Sequence, residues 1–171
     1  MSTVAVLRDY FKFAHDWFEG TMQGVTPELA HWQPQGKAQP IGANYIHVLT
    51  TEDFMVNVIV QGGVPLMASD YADKTGFSEA PPPGNRDEWA SRVQVDLEAV
   101  RAYGQAVYAA TDAYLASASD EDLDRMLDLS ALGFGTQSVA FVFNLLLLNV
   151  YNHCGEISCL KGLNGLQGYP G

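Results

Sequence analysis

Asn149, His153 and Glu156 follow one another at steps of four and three within the stretch from Leu145 to Ile157. If that stretch is helical, all three project to one side, because side chains at i, i+3 and i+4 share a face. A polar stripe inside an apolar helix is costly unless something satisfies it, so the stripe is where a site should lie. Asn149 and His153 could offer two ligands from one helix, and His47, on an earlier helix, a third across the core. Divalent zinc or nickel accepts imidazole well, and three protein ligands with open positions make a catalytic or water-bearing centre. The spacing alone leaves a plainer alternative, in which the same residues are core polar groups that bond one another or water. Glu156 has two readings as well. It steers His153 or serves as base for a bound water, or it is an exposed or interface carboxylate.

The elements that must position these residues follow from hydrophobic periodicity. Val4, Leu7, Phe11, Ala14 and Phe18 fall at steps of three and four, which predicts a first helix over 3–19 that stops at Gly20. Thr26-Pro27-Glu28 reads as a capped short turn. The second helix is expected from about Ile41 to Gln61, with His47 near its start, and ends at Gly62-Gly63. Residues 64–84, with a Pro81–Pro83 tract, form a long connection that suits a crossover between parallel helices or a lid beside a pocket. A third helix is expected over 86–117, where Trp89, Val93, Leu97 and Val100 begin a 3.5-residue rhythm. Ser119 to Asp122 has the form of a capping box, and Asp128 to Thr136 reads as a loop. The last helix runs from about Thr136 to Leu163. With no convincing strand alternation, the expectation is an all-α four-helix bundle, a single domain over 1–171.

Composition narrows the partners. A net charge of −11 argues against nucleic acid and anionic membrane surfaces, both of which need a basic face. The longest apolar run, Val139 to Leu148, is too short to span a bilayer. The run from Phe141 to Leu148 is apolar almost all round, more than one core face requires, and this predicts a homodimer. The N-terminal residues show no secretory pattern. Cys154 and Cys159 sit five apart on one helix, so they point to different faces and are expected to be free, buried thiols in a reducing cytoplasm. Adjacent helical residues diverge, which also speaks against Cys154 and His153 as a catalytic pair. His15 and His31 read as structural or solvated, and the tryptophans as core or pocket lining.

Over nearly its whole length the chain resembles the DinB/YfiT-like superfamily. The resemblance is carried by Trp32 and Pro34 and by the segment from Ile41 to Glu52 around His47. Tyr114-Leu115, Asp122 to Arg125, the segment Asn149 to Ile157, and Gly162, Gly165 and Gly168 complete it. It implies that a helix-two histidine and a pair on the last helix hold a divalent metal, commonly nickel or zinc. Here those positions are His47, Asn149 and His153, with Asn149 where the family carries the first histidine of the pair. Two function classes follow. One is a metal-dependent enzyme: a transferase adding a low-molecular-weight thiol such as mycothiol or bacillithiol to an electrophile, a glutathione-using isomerase, or a hydrolase. The metal would present the thiol as a thiolate, with Glu156 orienting a ligand. The other is a non-catalytic dimeric stress-response or small-molecule-binding bundle with a degenerate site.

Overall fold

The computed structural model describes residues 2–170. Its seven α-helices are α1 (Thr3–Thr21), α2 (Pro27–Ala30), α3 (Ile41–Asp53), α4 (Asp87–Arg92), α5 (Leu97–Ser117), α6 (Asp120–Asp124) and α7 (Val139–Leu163). The fold is mostly helical, as the periodicity predicts, and α1, α5 and α7 each start where a side chain satisfies free N–H groups, whereas α3 follows Pro40 without a side-chain cap. Ser2 accepts from the Ala5 N–H, Asp96 from Glu98 and Ala99, and Ser138 from Phe141. The capping box at α6 is complete in both directions, with Asp122 doing the work usually given to glutamate.

The long helices surround one interior. α1 packs against α5 and α7, and α3 packs against the same two. Arg8 meets Asp112 and Glu19 meets Arg101, so α1 and α5 run in opposite directions. Leu49 lies against Gly104 and Glu52 against Thr111, so α3 and α5 run the same way and the chain between them must cross over. Buried side chains of all four helices fill the interior, from Phe11 and Phe18 on α1 to Phe143, Leu146 and Ile157 on α7.

Two expectations need correction. The helix predicted over 86–117 is two helices: Val93, with ψ of 130°, ends α4, and α5 starts only after Asp96. Between them Val95 forms a bridge with Phe77, and its N–H donates to His31 Nε2 at 3.0 Å. Buried β-branched residues followed by an N-capping aspartate favour that extended break over a continuous helix. The segment Asp128 to Thr136 is no simple loop. Met126–Asp128 (β1) and Thr136–Ser138 (β2) pair antiparallel, so α7 starts at Val139 and not at Thr136. The second helix ends as α-helix at Asp53 and continues with π-helical hydrogen bonding through Phe54–Val60.

The crossover is tied down at several points. Asp53, fully buried, accepts from the backbone N–H groups of Leu66 and Met67, from the Tyr103 hydroxyl and from the Asn57 amide. Gly76 has φ of +81°, and a Cβ there would collide with the Val100 nitrogen and the Ala99 side chain. Only glycine lets the strap approach the start of α5 this closely. Trp89 is buried and donates its ring N–H to the Glu79 carbonyl at 3.0 Å.

Candidate functional site

α3 and α7 bring His47 and His153 together. Their rings meet edge to face with centroids 4.9 Å apart. Each imidazole has its Nδ1 engaged from its own helix. His47 Nδ1 lies 3.2 Å from Thr51 Oγ1, four residues on, and His153 Nδ1 lies 2.7 Å from Glu156 Oε2, three residues on. In the tautomer whose Nδ1–H donates to these partners, each Nε2 is left as a lone pair, the form in which imidazole binds a metal or accepts a proton. Burial holds both rings neutral. It pushes His47 down to about 3, with the nearby Arg86 and His153 adding to the fall and the Asn149 side chain opposing it. Burial lowers His153 too, against the pull of Glu156.

Asn149 completes the group. It sits close enough to His47 to favour the protonated ring, yet its Nδ2 is buried and meets no acceptor among the described residues. A buried amide nitrogen left without a partner marks a place where something else belongs. An amide can present either end, so the same side chain can turn its oxygen into that position. The set is then two neutral imidazoles and one amide oxygen, which is a fit for a divalent ion with open positions. Among the described residues no group of three or more His, Cys, Asp or Glu side chains is placed to hold a metal, so an ion here depends on Asn149.

Two cavities meet at this group. One, of about 780 Å³, opens between the loop before α3 and the last turns of α7, and is lined by Trp32, Asn44, His153, Glu156 and Leu160. The other, of about 710 Å³, lies under the crossover and is lined by His47, Thr51, Pro82, Leu146 and Asn149. The proline tract therefore lines the cavity on the His47 side of the site. Arg86 lines both cavities.

The expected residues His47, Asn149, His153 and Glu156 come together. Glu52 does not join them: it is fully buried on another face of α3, 3.0 Å from His15 Nε2, and accepts from Thr111 at 2.6 Å. His15 and His31, read as structural or solvated, both bond within the protein, His15 to Glu52 and His31 to the Pro27 carbonyl and the Val95 N–H. Cys154 is buried, with its thiol pushed up to about 11, which leaves it a poor nucleophile. Cys159 departs from expectation, since it is exposed and faces the larger cavity. The sequence reading missed Thr51 and Arg86. Thr51 was visible as the residue one turn after His47; nothing local marks Arg86, which arrives at the site from the far end of the crossover.

A model of the DinB superfamily matches residues 10–157. Among solved structures, a conserved protein from Enterococcus faecalis has a TM-score of 0.80 at 18% identity, covering 95% of this chain and 97% of its own. That likeness is one of fold. A comparison with curated proteins gives no match.

Proposed function

The chain belongs to the DinB superfamily, and from that premise we propose that it is a four-helix bundle whose His47, Asn149 and His153 hold a divalent metal, nickel or zinc. On this reading it is a metal-dependent transferase or hydrolase acting on a small molecule, with a low-molecular-weight thiol as candidate co-substrate. One observation carries it. Two neutral imidazoles with ring centroids 4.9 Å apart have their Nδ1 edges engaged and stand beside a buried amide nitrogen that has no partner among the described residues.

When bound, a divalent ion lowers the pKa of a thiol or water that reaches it. The chain's own residues do the rest. Thr51 and Glu156 hold each imidazole in one tautomer and orientation, as partners of metal-binding histidines do. Glu156 is more than half exposed at the cavity mouth, with 56% side-chain accessibility, so it can take a proton from an incoming ligand and pass it to solvent. Trp32 and Leu160 give the cavity apolar walls that exclude water and position an organic substrate.

A second reading is favoured by Arg86. A guanidinium close enough to disfavour charge on both histidines also disfavours a cation between them. In that case the protein is a dimeric small-molecule-binding bundle without catalysis. Elemental analysis of protein purified without tag or chelator, alongside the Asn149→His variant, separates the two. Near-stoichiometric nickel or zinc in the unaltered chain supports the enzyme. An empty chain beside a loaded Asn149→His variant overturns it in favour of the binding bundle.

A further inference from the structure

Arg8, Arg92 and Arg101 each pair with a carboxylate, and Arg125 donates to the Val60 carbonyl. The Arg86 guanidinium makes no hydrogen bond or ion pair among the described residues, although the residue is half-buried and both cavities close on it. A partly desolvated guanidinium normally finds an acceptor, because it carries five N–H donors and cannot shed its charge. The acidic group that acts on it is Glu156, and that carboxylate is already held by His153 Nδ1 at 2.7 Å. His47, Asn149 and His153 contribute no negative charge.

We propose that Arg86 is the binding residue for the carboxylate of a small organic acid, whose apolar body lies in the larger cavity against Trp32 and Leu160. The planar fork of a guanidinium matches a carboxylate with two parallel hydrogen bonds. The walls beside it are mainly apolar, with Trp32, Pro34, Leu160 and Leu163 outweighing polar groups such as Gln39 and Asn44, so the remainder of the ligand is mainly hydrocarbon or aromatic. A cavity of about 780 Å³ takes a molecule of that size. The chain as a whole, at −11, repels anions, so attraction for one must come from a local cation, and Lys37, which also lines the cavity, lies 3.5 Å from Asp87. A cation held by the histidines would strengthen the same preference, because an anion placed between it and Arg86 relieves their repulsion.

The inference names the substrate class of the proposed site, and it rests on that site binding a small molecule but not on its holding a metal. Calorimetric titration of the full chain, both as purified and after chelator treatment, compares phenylacetate with the neutral isostere phenylacetamide. The expected result is at least tenfold tighter binding of phenylacetate in both preparations. In Arg86→Gln that preference disappears while phenylacetamide binds as before and the helical circular dichroism is unchanged. Should Arg86→Gln fail to fold, Arg86→Lys keeps the charge without the fork and is expected to retain a reduced preference. Equal affinity for the two ligands, a preference that survives in Arg86→Gln, or binding of neither overturns the proposal. A chelator-treated protein that keeps the preference while elemental analysis finds no metal separates failure of the metal reading from failure of this one.

Discussion

Glu156 holds the Nδ1 edge of His153 at 2.7 Å from one turn further along α7, while remaining largely open to solvent. The contact fixes which imidazole nitrogen faces the site, and it places a negative charge behind a ring that burial would otherwise keep weakly basic. Glu156→Ala is expected to leave the fold intact and to weaken metal binding by about 10- to 100-fold. Competition with a chromogenic chelator measures this, and unchanged affinity would remove Glu156 from the site. Glu156→Gln keeps an acceptor for the ring N–H, so its loss is expected to be smaller.

Asn149 sets function against stability. Its buried Nδ2 has no partner among the described residues, so in chelator-treated protein Asn149→Leu, of similar size and without the polar atoms, is expected to raise stability by about 1 kcal/mol. The same variant should lose metal. Urea unfolding tests the first half of this expectation, and a destabilised variant would mean that the amide is satisfied after all.

Asp53 anchors the crossover. Removing its carboxylate leaves the Leu66 and Met67 N–H groups and the Tyr103 hydroxyl without their acceptor inside the protein. Asp53→Ala is therefore expected to cost about 3 kcal/mol or more. Hydrogen exchange should rise across residues 64–84 before it rises in α5. If exchange in the crossover does not change, the Asp53 contacts do not restrain it.

The pH dependence of the metal-free protein follows from His47. Its folded value of about 3 lies below the ordinary histidine value of 6.5, so between these limits the unfolded chain binds the extra proton. Stability from this source is complete above about pH 6.5 and is lost as pH falls toward 3. His47→Gln is expected to flatten the loss between pH 7 and pH 5 in chemical unfolding. Parallel losses in the two proteins would count against it.

The homodimer proposal has its surface on α1 and α7. Tyr10, Phe13, Leu148 and Tyr151 are all large, apolar and exposed. If a second copy covers them, light scattering will give twice the chain mass, and Tyr10→Lys with Leu148→Asp will halve it. A monomer in the unaltered protein ends the proposal.

The sequence by itself determined the helical elements and one side of the site. Steps of three and four place Val4 to Phe18 on a buried face of α1, and the same rule puts Asn149, His153 and Glu156 on one face of α7, because helical geometry is local. His47 is a candidate by residue type, and resemblance strengthens it, but nothing in its own neighbourhood distinguishes its surroundings from those of Glu52. The break before α5, the pairing of β1 with β2 and the position of Arg86 were decided by the tertiary structure. Each depends on partners distant in the chain: Phe77 and His31 for Val95, Ser138 for Met126, and two cavities built from segments far apart in sequence for Arg86. Local propensity is a weak preference of tenths of a kcal/mol per residue, and burial of valines or docking of a strap outweighs it.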